Sequence, residues 1–192
     1  MPRCLGRDPR PAARLSPHAL QFRRDHAAAR RASEAQVTRG PARIEAFRPF
    51  GDWSHPGHVV GASALIEDQH GRVLMQLRDD RPDIVAPGLW CTPGGGVEEG
   101  EELEEAVIRE IAEETGLAFA PGELSPFVRV VTIERNMTRL FVFRARRHID
   151  PADLRIGEGA GLALLTAAQV SRYPVVEPMQ EVVAAHFADP PG

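Results

Sequence analysis

The stretch from Glu101 to Thr115 constrains this chain more than any other, because it puts carboxylates where a packing helix wants hydrocarbon. Acidic residues crowd its start, where they favour the helix dipole, and Gly116 supplies a C-terminal stop. With Glu110 set at zero and about 100° per residue, Leu103, Val107, Ala106, Glu113 and Glu114 all fall within about 60° of it. Glu110, Glu113 and Glu114 are therefore expected on the apolar stripe that packs on a sheet, while Glu102, Glu105 and Ala112 supply the solvated face. Arg109 flanks them and reaches Glu113 at i+4. Carboxylates that repel one another out of water are costly unless positive charge sits among them. A hard divalent cation with oxygen ligands, Mg2+ or Mn2+, meets that need.

Immediately upstream lies Pro93-Gly94-Gly95-Gly96-Val97-Glu98-Glu99-Gly100, whose glycines let backbone approach a ligand closely. Taken together, Gly95, Glu101 and Arg109-Glu110-Ile111-Ala112-Glu113-Glu114-Thr115-Gly116-Leu117 match every fixed position of G-x5-E-x7-R-E-U-x-E-E-x-G-U, with U aliphatic. That pattern resembles the box of the Nudix hydrolase family, of MutT-like type. The resemblance runs from about His58 to His186 and includes Leu74-Met75-Gln76-Leu77-Arg78 and Gly88-Leu89-Trp90-Cys91-Thr92.

The resemblance implies that Glu110, Glu113 and Glu114 bind divalent cations, that the Gly95 carbonyl adds a ligand, and that Arg109 orients the glutamates. Glu158, in Gly157-Glu158-Gly159, resembles a distal Glu-Gly pair that adds a ligand or a base, with Glu134 as competitor. The implied reaction is hydrolysis of a pyrophosphate linkage in a nucleoside diphosphate joined to another group. Glu110 or Glu114 would take the proton from water, with Glu158 next, and Arg78 is a candidate phosphate ligand. Val176 stands where members acting on oxidised guanine nucleotides carry Asn, and Ile133 where ADP-ribose hydrolases often carry Pro. Tyr173 is the only tyrosine, and Thr92 replaces the Phe of the coenzyme A signature, which leaves nucleoside triphosphates and nucleotide sugars as substrate classes. The alternative is a Nudix-like module that senses a nucleotide without turnover.

Elsewhere the pattern predicts strands over 59–66 and 72–78, a loop over 79–89, and a hairpin joining 127–134 to 138–146 through Arg135-Asn136-Met137. A short strand at 162–165 and helical segments at 167–172 and 177–187 complete an α/β (α+β) sandwich with a mixed sheet between helices.

The charge is split along the chain. Residues 1–48 hold 11 Arg against 4 acids, whereas the rest holds 12 Arg against 23 acids, for a net charge of −4 over 192 residues. The expected organisation is a disordered basic arm over 1–48 and a folded domain over 56–188. For the arm, a nucleic-acid or membrane-surface contact, a transit peptide, a start of translation further downstream and a homodimer contact stay open. The acidic domain argues against nucleic acid as substrate and for a small nucleotide. His55 and His58 read as a loop pair, since no further Cys or His stands nearby. No apolar run reaches the ~18 residues of a membrane span. Two distant cysteines, Cys4 and Cys91, point to a reducing, cytoplasmic setting.

Overall fold

The computed structural model describes residues 44–54, 59–132 and 138–189. Its strands are β1 (Arg48–Pro49), β2 (Val59–Glu67), β3 (Val73–Leu77), β4 (Trp90–Cys91), β5 (Gly94–Gly96), β6 (Ser125–Val131), β7 (Thr138–Arg146) and β8 (Gly161–Leu165). Helices α1 (Leu103–Thr115), α2 (Ala167–Val170) and α3 (Met179–Ala188) accompany them. One mixed sheet runs β1-β6-β7-β2-β3-β4, with β5 added to β2 and β8 to β3. The β2–β7 pair is parallel, and β2–β5, β3–β8 and β6–β7 are antiparallel.

The alternation of side chains along the strands builds two cores. On the face toward α1, Val60, Ala62, Ala64 and Ile66 of β2, Leu74 of β3 and Phe141 and Phe143 of β7 meet Ala106, Val107 and Ile111. On the other face, Leu65, Val73, Met75 and Val142 meet Met179, Val182 and Val183 of α3. The expected sandwich is thus present, with the sheet between α1 and α3. Because β2 and β3 are covered on both sides, their buried residues form continuous runs, as interior strands do.

Helix α1 starts two residues after the expected Glu101. Glu102 is its N-cap in a reciprocal capping box with Glu105, and Gly116 closes it at φ 76° with its N–H on the Ala112 carbonyl. Strand β4 follows directly on the expected loop over 79–89, and β5 falls on the glycine run. The largest difference concerns the domain boundary. Phe47, assigned by sequence to the arm, is 2% exposed and packs edge-to-face on Phe141 and Phe143, while Arg48–Pro49 pair with β6. Residues 44–49 therefore join the core and the sheet. A single aromatic in an Arg/Ala/Pro-rich stretch carries no periodicity, so this contact has no sequence signature. Residues 1–43, with Cys4, lie outside the described residues, as do His55, His58, Ile133, Glu134 and the expected turn at 135–137. Among the described residues no helix is long and apolar enough to cross a membrane.

Candidate active site

The register of β2 and β5 brings the glycine run beside α1. Gly95 pairs with Ala62 on the α1 face, and a Cβ on Gly95 would lie 2.5 Å from the Glu110 carboxyl, so only glycine lets backbone and carboxylate meet there. One residue earlier, the Gly94 N–H donates to Glu114 Oε2 at 2.9 Å. The helix thus docks two of its glutamates directly on the glycine strand.

Arg109 organises the near side of the helix. Its Nε and Nη2 donate to the two oxygens of Glu101 at 2.8 and 3.0 Å, its Nη1 to Glu110 at 2.8 Å and Glu113 at 3.2 Å, and its Nη2 also to the Gly96 carbonyl at 3.1 Å. These bonds lower the Glu101 pKa and raise that of Arg109. Glu113 departs from expectation. Its side chain is 54% exposed, because the buried stripe runs through Ala106, Val107, Ile111 and Glu114 and leaves Glu113 outside its edge.

Glu114 is the opposite case, at 4% exposure. Burial pushes its carboxyl up to about 7; the Gly94 N–H and the Gln76 amide favour the ionised form, and the charges of Glu110 and Glu158 oppose it. Glu110 is also raised by burial, against the pull of Arg109 and with a further rise from Glu113 and Glu158.

Glu158 reaches this cluster from the loop before β8. Arg155 N–H donates to the Thr115 carbonyl at 2.8 Å and Gly157 N–H to the Glu114 carbonyl at 3.1 Å, so the loop caps the last turn of α1. A Cβ on Gly157 would lie 1.7 Å from the Glu113 carbonyl oxygen, which makes glycine obligatory for this close approach. Gln76 completes the seat. It shares the Leu74 face of β3, donates to the Glu158 carbonyl at 3.2 Å, and accepts from Cys91 Sγ at 3.6 Å.

Glu114, Glu158 and Gln76 line a cleft of about 460 Å³ with Arg78, Asp79, Arg81, Ile84, Gly157 and Gly159. The Arg78 Nε donates to the Val85 carbonyl at 2.7 Å, which fixes the base of its guanidinium at the cleft wall. Gln76, Asp79 and Arg81 carry no site signal in the sequence, whereas Glu101 is a fixed position of the motif. Gln76 alternates with Val73, Met75 and Leu77 and so reads as solvent-facing, a sign that reverses once both faces of β3 are covered.

Among the described residues no three His, Cys, Asp or Glu side chains already form a metal-holding cluster. The donor chemistry nevertheless fits a hard divalent cation. The charge of Glu158 helps to raise both Glu110 and Glu114, all three are oxygen donors, and the Gly95 backbone abuts Glu110 without an intervening side chain.

Comparison with known proteins identifies the family. The NUDIX domain family model matches residues 57–185. Nucleoside triphosphatase NudI of Escherichia coli O139:H28 is 44% identical over 63 residues, which are 33% of this chain and 43% of that protein. The matched stretch therefore spans less than half the length of this curated relative. A MutT NUDIX hydrolase from Burkholderia pseudomallei superposes with a TM-score of 0.55 at 26% identity, covering 66% of this chain and 95% of that one. The NUDIX domain of Shewanella oneidensis NrtR, solved with ADP ribose, superposes with a TM-score of 0.59 at 19% identity over 72% of this chain and 92% of that one. The glycine strand, the carboxylate helix and the match over most of the described residues lead to one assignment: the chain belongs to the NUDIX domain family.

Proposed function

We propose that this protein hydrolyses the pyrophosphate linkage of a nucleoside diphosphate joined to another group, of the nucleoside triphosphate or nucleotide sugar class, with the help of Mg2+ or Mn2+. The observation that carries this reading is the meeting of Glu114 and Glu158, from two separate segments, at one cleft that also holds Arg78, with Glu110 close enough to act on Glu114.

Glu110, Glu114 and Glu158, with the Gly95 carbonyl, would hold the cation, and Glu113 would join from the solvent side. Bound there, it would neutralise phosphate oxygens and acidify a water. The protein's own groups do the rest. Arg109 holds Glu110 by a 2.8 Å bond and is itself anchored on Glu101, so the carboxylate is oriented before substrate arrives. The Gly94 N–H and the Gln76 amide do the same for Glu114. Glu110 or Glu114 takes the proton of the attacking water, with Glu158 as the next candidate. Arg78, pinned through Nε, turns its terminal N–H groups to a phosphate.

The substrate is a small nucleotide rather than nucleic acid, in keeping with the acidic domain. Chromatographic separation of the nucleotide products after incubation with Mg2+ and nucleoside triphosphates, nucleotide sugars or ADP-ribose tests the reading. Turnover of at least one compound, lost on chelation, is expected. Tight binding of one compound without turnover of any would make the protein a nucleotide-sensing module instead.

A further inference from the structure

The cleft has two dissimilar walls. One is built by Glu114, Glu158, Gln76 and the glycines beside Glu158; the other comes from the segment after β3, where Arg78, Asp79, Arg81 and Ile84 face the same space. Of these lining residues only Ile84 has a sizeable apolar side chain, so among the described residues no aromatic ring offers a stacking platform for a nucleobase in the cleft. The cleft is built for the phosphate chain.

Arg78 and Arg81 differ in what holds them. Arg78 is tied at Nε to the Val85 carbonyl, whereas the Arg81 side chain is 61% exposed and, among the described residues, donates to Asp83 alone, through Nε at 3.1 Å and Nη2 at 2.6 Å. An ion pair this exposed is weak and easily exchanged. A phosphate offers the same planar fork the same two-point contact, with more charge than a carboxylate.

We propose that Arg81 leaves Asp83 to bind the phosphate farthest from the nucleoside, so that this cleft selects nucleotides ending in a free phosphate over those whose diphosphate is esterified to a sugar. A free terminal phosphate carries up to about one more negative charge at neutral pH than an esterified one. Arg78 would then take an inner phosphate and Arg81 the outer one. Asp83 holds Arg81 at the cleft mouth in the absence of substrate and releases it at little cost. This selectivity rests on the hydrolase reading above.

The test compares UTP with UDP-glucose, which share a base and differ at the far end, using the full chain with Mg2+. Arg81→Gln is expected to lower kcat/KM for UTP about tenfold, mainly through KM, and to leave UDP-glucose within about twofold. Arg81→Lys should recover part of the loss, and thermal melts of both variants should match the parent. Inhibition by inorganic tripolyphosphate should weaken about tenfold in Arg81→Gln. Equal losses on both nucleotides, or no loss on either, would overturn the assignment. If the parent hydrolyses neither nucleotide, the wider panel above decides the hydrolase reading, and calorimetry with tripolyphosphate decides the role of Arg81 alone. Tighter binding by the parent than by Arg81→Gln supports the phosphate site, and equal binding removes it.

Discussion

Glu67 and Glu114 are equally buried, at 3% and 4% exposure, yet the protein treats them in opposite ways. Glu67, on the α3 face of the sheet, accepts from Arg146 Nε at 3.1 Å and Nη2 at 2.5 Å and meets His186 Nε2 at 2.9 Å. Glu114, on the α1 face, receives a backbone N–H and a neutral amide, and among the described residues no Arg or His is bonded to it. One carboxylate has its counter-charge built in by the fold. The other is left with its charge uncompensated beside two more carboxylates at a cleft. Burial of an acid does not by itself mark a working site; burial without a partner cation does.

The largest effect expected from this contrast is on stability. Glu67→Ala removes the partner of a fully buried histidine and should lower the unfolding free energy by about 3 kcal/mol or more, read from urea denaturation. A loss below about 1 kcal/mol would mean that the pair is no tie between sheet and α3. Glu114→Gln should do the reverse. Turnover falls by about 10²-fold or more, while the metal-free protein melts at or above the parent temperature, gaining on the order of 1 kcal/mol. A mutant that melts well below the parent, with activity lost only in proportion to unfolding, would make Glu114 structural.

Adding Mg2+ sharpens the same comparison. At about a hundredfold excess over its dissociation constant the cation should stabilise the parent by about 2.7 kcal/mol, stabilise Glu114→Gln less, and act on Glu67→Ala as on the parent. Equal shifts in all three would detach Glu114 from the cation.

The pH dependence is smaller and has a defined sign. The Glu114 carboxyl rises from 4.5 to about 7 on folding, so between those values the folded state binds more protons than the unfolded one. Its contribution therefore favours the metal-free fold below about pH 4.5 and declines as pH rises toward 7. The burial-depressed pKa of His186 works the other way, losing stability as pH falls. The difference between parent and Glu114→Gln, measured by denaturation from pH 4 to 8, isolates the first slope, and a pH-independent difference would contradict it. Smallest of all, removal of residues 1–43 should touch neither carboxylate and leave turnover within about threefold. Extending the cut through residue 48 removes Phe47 from the core and should destabilise by about 3 kcal/mol.

Much of the candidate site could be read before the fold was known, since the positions of Glu110 and Glu114 follow from helical period and the stop at Gly116 from the backbone it needs. Period also misplaced Glu113, because a 60° offset from Glu110 in one direction is buried and in the other is exposed, and only the packed neighbour decides which. Glu67 gave no sign at all. It ends an apolar run and reads as the polar start of a turn, and its partners Arg146 and His186 lie 79 and 119 residues away.

What the sequence by itself determined is local: the carboxylate helix, the glycine run beside it, the stop after it, and an oxygen-rich chemistry suited to a divalent cation. Those follow from dihedral preference and the 3.6-residue period, which act over a few neighbours. What only the tertiary structure decided is which distant groups share a space. The sheet register set Gly95 against Glu110, two covering helices turned Gln76 from a surface residue into a buried strut, and the loop on α1's last turn delivered Glu158. Contacts of this kind depend on the packing of elements remote in the chain, and no local pattern encodes them.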